Sequence, residues 1–492
     1  MHKQTFFVQD FGSDFKWGVG MAAPQNEGAA FEDGKGLSVW DVFARKRNVI
    51  KGGARPTHAA DFYHRYKDDI LLAKALGFKV FRFSIAWSRV LPDGIGKVNK
   101  LGIDFYHRVI DECVANGLEP VVTIYHWDLP HALELQGGWT SRDMIKWFSK
   151  YVTLLTTHYG KKVQQWIVMN EPFAFTALGY MIGMHAPGKM GTANVFPAIF
   201  NAAYCTAEGG RIIREHCPQA IIGTSFSISE AKPYTNSDKD IAAANRADAL
   251  LNRLFIEPTL GMGFPQLDQF DFLDKLHIAT TAWRFIDKLK FDFDYIGLQN
   301  YFSVTIKHNP LIPYVSASEV SAKQRKMLHT AIGWEIDPNS FYEMLKRFGS
   351  YAGVKQIIVT EGGACFKDHL HNGVVNDQER IDYFKAYLGA VLQAKNEGVP
   401  IGGYYAWTLT DNFEWAYGYS TRFGLVHTDF ETQLRTVKNS GYWFRDFYKA
   451  KLFDLSISST RFLVGCKDFA FSITICTSWY VLYSSVNGVG AG

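Results

Sequence analysis

AADFYHRYKDDILLAKALGFKVFRFS (59–84) contains both patterns from which the rest of the chain is assembled. Up to Gly77 its apolar residues recur at three-to-four spacing, the period of a helix with one buried face, and the glycine suits a C-cap. KVFRFS (79–84) then packs aromatic and branched residues into a run of strand length. Arg82 alternates there with Phe81 and Phe83, so if the phenylalanines face helices the arginine points to the opposite side of the sheet. A guanidinium on an inward face has to be paired.

Outward from this unit the alternation repeats. Strand-like runs occur at FKWGVGM (15–21), EPVVTIY (119–125), QQWIVM (164–169), AIIGTSF (220–226), DYIGLQ (294–299), KQIIVTE (355–361) and GYYAWT (403–408). Helical periodicity occupies 101–116, 142–159, 239–257, 377–397 and 438–450. Eight strands, each followed by helix, predict an α/β chain folded as a single (β/α)8 TIM barrel with elaborated βα loops. A doubly wound sheet is the alternative, but no G-x-G-x-x-G follows the first strand. The rhythm stops near residue 450. We therefore expect a barrel over 1–450 and a C-terminal tail over 451–492, poorly ordered or of non-native origin. From Phe469 onward the tail is uncharged, yet Ser, Thr, Gly and Asn interrupt it too often for a membrane anchor.

The chain is 47% hydrophobic and 20% charged, as in ordinary soluble proteins, and its net charge of +4 is too small to imply a nucleic-acid partner. Aromatics stand out at 15%, with 13 Trp. Besides filling a large core, that many rings suit sugar binding, because pyranose C–H faces pack on them. The six cysteines (113, 205, 217, 365, 466 and 476) show neither CxxC spacing nor a disulfide framework. The N-terminal MHKQTFFVQDFGSDFKW has no apolar stretch of signal-peptide length. Both features make a cytoplasmic location the expectation. No cofactor is called for, and self-association into a homo-oligomer is left open.

In a (β/α)8 barrel the site is built at the C-terminal ends of the strands. The polar residues that close the expected strands are Gln25 after the first, Arg82 in the second and His126 after the third. Asn170 and Glu171 follow the fourth, Gln299 and Tyr301 end the sixth, Glu361 ends the seventh and Trp407 the eighth. No metal-ligand spacing emerges, but two carboxylates do. A single glutamate at a strand end is as easily a structural ion-pair partner as a catalyst; two together point to acid–base chemistry.

These residues lie in blocks that resemble glycoside hydrolase family 1, the β-glucosidase family of (β/α)8 barrels, from about residue 14 to 450. The blocks are SVWDVF (38–43), DFYHRYKDDI (61–70), FRFSIAWSRVLP (81–92), YHWDLP (125–130), WIVMNEP (166–172), GWEIDP (333–338), VTEGG (359–363), WTLTDNFEWAYGY (407–419) and RFGLVHTDF (422–430). The resemblance implies a retaining β-glycosidase acting on terminal non-reducing β-D-glucosyl residues, with β-galactosyl and β-fucosyl activity open. Glu171 maps onto the acid/base and Glu361 onto the nucleophile. One must be neutral to protonate the leaving oxygen while the other is ionised to attack the anomeric carbon, and retaining enzymes hold the pair about 5–5.5 Å apart. By the same resemblance Arg82 pairs with the nucleophile, Tyr301 orients it, and Asn170 holds the 2-hydroxyl. Gln25, His126, Glu414 and Trp415 hold the hydroxyls at positions 3, 4 and 6. Trp407 is the platform under the ring, followed by a cis peptide, and Trp334 faces the aglycone. Trp127 and Phe423 belong to the same implied binding set.

Some positions depart from the family pattern. TEGG replaces TENG, and we read Gly363 as the missing side chain near the rim. AAPQNEGA replaces AAYQIEGA. GLQNY replaces GxNYY and sets Gln299 where asparagine is expected, one methylene longer beside the 2-hydroxyl contact. Glu414 argues for unphosphorylated sugars, since a carboxylate there would repel phosphate. Two other functions fit the same barrel: a transglycosylating β-glucosidase and a non-catalytic sugar-binding module. The second is expected of chains that have lost a glutamate, and neither is lost here.

Overall fold

The computed structural model describes residues 6–268, 270–280 and 287–450; the expected tail, 451–492, lies outside the described residues. Eight parallel strands close into a barrel: β1 (Lys16–Gly20), β2 (Val80–Ser84), β3 (Glu119–Tyr125), β4 (Gln165–Asn170), β5 (Ile221–Ser227), β6 (Tyr295–Gln299), β7 (Ile357–Gly362) and β8 (Ile401–Trp407). β8 returns to β1 with Gly18 opposite Tyr405 and Gly20 opposite Trp407. Around them run α1 (Phe62–Ala75), α2 (Lys100–Ala115), α3 (Met144–Tyr159), α4 (Thr192–His216), α5 (Asp238–Asp248), α6 (Pro338–Gly349), α7 (Gln378–Asn396) and α8 (Asn439–Lys449). The expected (β/α)8 fold is present, with each strand within two residues of its expected bounds.

The alternation in KVFRFS works as read. Phe81 and Phe83 pack outward into the main core, while Val80 and Arg82 face inward. Val80, Val121, Ile167, Tyr295, Ile358 and Tyr405 form an apolar layer of their own inside the barrel. Glycines make room for its large rings: a Cβ on Gly18 would lie 2.4 Å from the Tyr405 ring, and one on Gly223 2.3 Å from that of Tyr295. Moving along each strand toward its C-terminal end, the lining turns polar, to Arg82, Thr123, Ser225 and Thr360, all buried. Charge can be held there because each group finds a partner from another strand.

Some helical expectations need correction. The pattern at 239–257 is not one helix: α5 stops at Asp248, a π-helical turn covers Ala249–Arg253, and a short helix follows over Ile256–Leu260. That turn carries Asn252, whose amide brackets Ser229 by accepting its N–H and donating to its carbonyl, both at 2.8 Å. α4 and α6 fell outside the expected helices. Pro197, Gly209 and Gly210 mask α4, whereas α6 carried a readable start, Asp337 capping the Ser340 N–H with Pro338 at the first position. The departure at Asn26 has its own answer: its amide donates to Thr410 Oγ1 at 3.0 Å and accepts from Asn412 at 3.3 Å.

Candidate active site

Glu361 ends β7 with both carboxylate oxygens held. Arg82 Nη1 donates to Oε1 at 2.6 Å, and the Tyr301 hydroxyl donates to Oε2 at 2.6 Å. Arg82 is fully buried and donates three further bonds: Nη1 to the Thr360 carbonyl at 2.8 Å, Nη2 to Asn170 Oδ1 at 2.7 Å and Nε to Thr123 Oγ1 at 3.1 Å. Burial pushes the Glu361 carboxyl up, and the guanidinium, the Tyr301 hydroxyl and Gln299 all pull it back toward the ionised form.

Glu171 follows β4, three strands round the barrel. Its N–H donates to the Ser225 carbonyl at 2.9 Å, and its backbone is left-handed, φ 45°. A non-glycine residue there stores about 1–3 kcal/mol of strain that the surroundings must hold in place. Burial and then the nearby Glu361 charge push its carboxyl up to about 8. Ser227, which closes β5, opposes that shift by hydrogen bonding to Glu171. Sequence reasoning named no residue from the fifth strand; the polar residue at its C-terminal end was the available signal.

The residues expected to bind sugar gather around this pair. Gln25 Nε2 donates to Glu414 Oε2 at 3.1 Å, and burial, followed by Glu361, pushes Glu414 up to about 8. His126 lies 3.2 Å from the Asn170 amide nitrogen, and burial and Arg82 hold it well below the usual histidine range, hence neutral. Its ring stacks at 15° on Trp407, whose following peptide is cis as expected. Trp127 donates to the Asn170 carbonyl at 2.9 Å and stacks on Trp415 at 4.5 Å. Trp334, Phe423 and Tyr301 form a second aromatic group beside Trp407. Gln299 Nε2 reaches Asn170 Oδ1 at 2.8 Å and Thr360 Oγ1 at 3.3 Å. All expected site residues thus converge on one end of the barrel. Trp40 and His185, not foreseen, extend the aromatic wall behind Trp127 and Trp415.

The reading of Gly363 is overturned. A Cβ at 363 would sit 2.0 Å from the Trp407 carbonyl oxygen, so glycine is required there by close packing. The side chain that TEGG lacks belongs to Gly362, where a Cβ would lie 2.3 Å from the Tyr404 hydroxyl. Among the described residues no group of three or more His, Cys, Asp or Glu could hold a metal ion, and no helix is long and apolar enough to cross a membrane.

Two buried carboxylates, one paired with a guanidinium and the other kept protonated by burial and by its neighbour, have the makings of an acid and a nucleophile. Set among stacked indoles and side-chain amides at the mouth of a (β/α)8 barrel, they suit glycoside-bond hydrolysis. The family comparison agrees: residues 7–453 match the model of glycosyl hydrolase family 1, and the chain belongs to that family of retaining glycosidases. It is 39% identical to "Beta-glucosidase A" of Thermotoga maritima over 444 residues, covering 90% of this chain and 98% of that protein. A 1,4-β-D-glucan glucohydrolase of Thermotoga neapolitana is 38% identical, with coverage of 90% and 99%. The solved family 1 β-glucosidase from Thermotoga maritima superposes with a TM-score of 0.85 at 38% identity, covering 90% of this chain and 99% of its own.

Proposed function

We propose that this enzyme is a β-glucosidase that releases terminal non-reducing glucosyl residues from unphosphorylated β-glucosides by double displacement. Glu361 attacks the anomeric carbon while Glu171 protonates the departing oxygen. The glycosidic bond breaks and a glucosyl ester forms on Glu361. Esterification removes the Glu361 charge, so Glu171 becomes a stronger acid, loses its proton and serves as the base that activates water. Water then displaces Glu361, and the anomeric configuration is retained.

One observation carries this reading: the two buried glutamates have opposed surroundings, Glu361 clamped by Arg82 and Tyr301, and Glu171 raised by burial and by Glu361 against the Ser227 hydrogen bond and the Arg82 charge. Asn170 is assigned to the 2-hydroxyl. Gln25, His126, Glu414 and Trp415 take the other hydroxyls, Trp407 the ring face, Trp127 the wall behind it, and Trp334 and Phe423 the aglycone side. A reducing, cytoplasmic location agrees with the free thiols of Cys113, Cys205, Cys217 and Cys365.

The test is Glu361→Ala on an aryl β-glucoside. Turnover should fall on the order of 10⁴-fold or more. Added azide, small enough to occupy the vacated carboxylate position, should restore part of it. Unchanged activity in this variant would refute the assignment.

A further inference from the structure

Gln299 stands where the family resemblance expects asparagine, and its contacts define a chain of hydrogen-bond polarity. Asn170 Oδ1 receives two donors, Arg82 Nη2 at 2.7 Å and Gln299 Nε2 at 2.8 Å. A carbonyl oxygen has two lone pairs, so both are used, and flipping the amide would set its NH₂ against two donors. Asn170 Nδ2 is thereby fixed toward His126 Nε2, 3.2 Å away. Because His126 is neutral, Nε2 must accept from Asn170 and the ring proton must sit on Nδ1. Among the described residues that Nδ1 is buried without a partner, as is Gln25 Oε1. Among the described residues the second N–H of Asn170 has no partner.

We propose that Gln299 is a positioning residue which, with Arg82, locks the Asn170 amide so that its second N–H is presented to the sugar while the His126 ring proton is confined to Nδ1. The glutamine side chain reaches the Asn170 oxygen directly, at 2.8 Å. The Gln299 Oε1 left buried without a partner is the cost of that orientation. This inference rests on the reading of Asn170 as the ligand of the 2-hydroxyl.

Two measurements test it. Histidine-selective ¹⁵N NMR of the intact wild-type enzyme should show His126, assigned by its absence in His126→Ala, as the Nδ1–H tautomer; an Nε2–H tautomer overturns the proposal whether or not glucosides are turned over. For kinetics, kcat/KM is compared on an aryl β-glucoside and its 2-deoxy analogue. Gln299→Leu should lower the glucoside-to-2-deoxyglucoside ratio about tenfold. The same substitution made in Asn170→Ala should leave the ratio where Asn170→Ala put it. Equal losses on both substrates would overturn the positioning of Asn170 and assign the effect of Gln299 to the Glu361 carboxylate, which it also bonds. Gln299→Asn should fold and shift the ratio the same way, which keeps the test decisive if the leucine variant is unstable. A wild-type enzyme inactive on every β-glucoside would refute the proposed function, with the tautomer still deciding the polarity.

Discussion

Glu171 and Glu361 are side chains of one type to which the proposed mechanism gives opposite protonation tasks, and their neighbours differ accordingly. For Glu171 the consequence is measurable in two ways. The free enzyme should lose kcat/KM as pH rises through about 8, where the acid gives up its proton. The same shift affects stability. Between the ordinary glutamate value of 4.5 and about 8 the folded state holds a proton that the unfolded chain has released. The folded form binds more protons there, so stability falls as pH rises across that window. Glu171→Gln should therefore abolish most turnover yet stabilise the fold, by about 1–3 kcal/mol near pH 7.5 and by less near pH 5. Denaturant titrations at both pH values check this; a gain that does not grow with pH would contradict the assigned proton.

At the scale of elements, α4 shows how a helix with poor local credentials is held by packing. Gly209 lets it approach β4 and α3: a Cβ there would lie 2.5 Å from Val168 Cγ1 and 3.1 Å from the Phe148 ring. Val168 lies two residues before Asn170 on the strand that Glu171 follows. Gly209→Ala, favourable for an isolated helix, should here destabilise by about 1–3 kcal/mol through overpacking. It should also reduce kcat, as seen in parallel unfolding and kinetic measurements. A stabilised, fully active variant would show that the helix can back away freely.

At the scale of the molecule, the last two βα units are tied by a buried ionic network. Lys438 stands between Asp368 and Asp411, the latter at 2.7 Å; Arg380 joins Asp368 at 2.8 Å and also bonds Asp377, which receives the Ser440 N–H at 2.8 Å. Asp411 further pairs with Arg422 at 2.7 Å. The network joins the starts of α7 and α8 to the loop bearing Glu414 and Trp415. Lys438→Met would leave Asp368 with Arg380 and Asp411 with Arg422 as their remaining cations and should cost about 1–3 kcal/mol, read as a lower urea midpoint. No change in midpoint would mean the carboxylates repair elsewhere. We also propose that the catalytic unit is complete near residue 450, so a chain ended after Phe453 should keep its turnover and melting temperature. Loss of either would assign the remaining residues a structural part.

Strand and helix periodicity, and the polar residues that close each strand, were legible in the sequence because they are local: alternation sets the face of Arg82, and the strand end sets the position of Glu361. The MNEP and TEGG blocks added chemistry to those positions. The sequence did not show α4, the break after α5, the part played by Ser227 or the requirement for glycine at 363. Each depends on a partner far along the chain, such as Val168 for Gly209 or the Trp407 carbonyl for Gly363. Protonation belongs to the same class. Which glutamate keeps its proton, and which nitrogen of His126 carries one, follow from burial and from donors on other strands, and only closing the barrel brings those together.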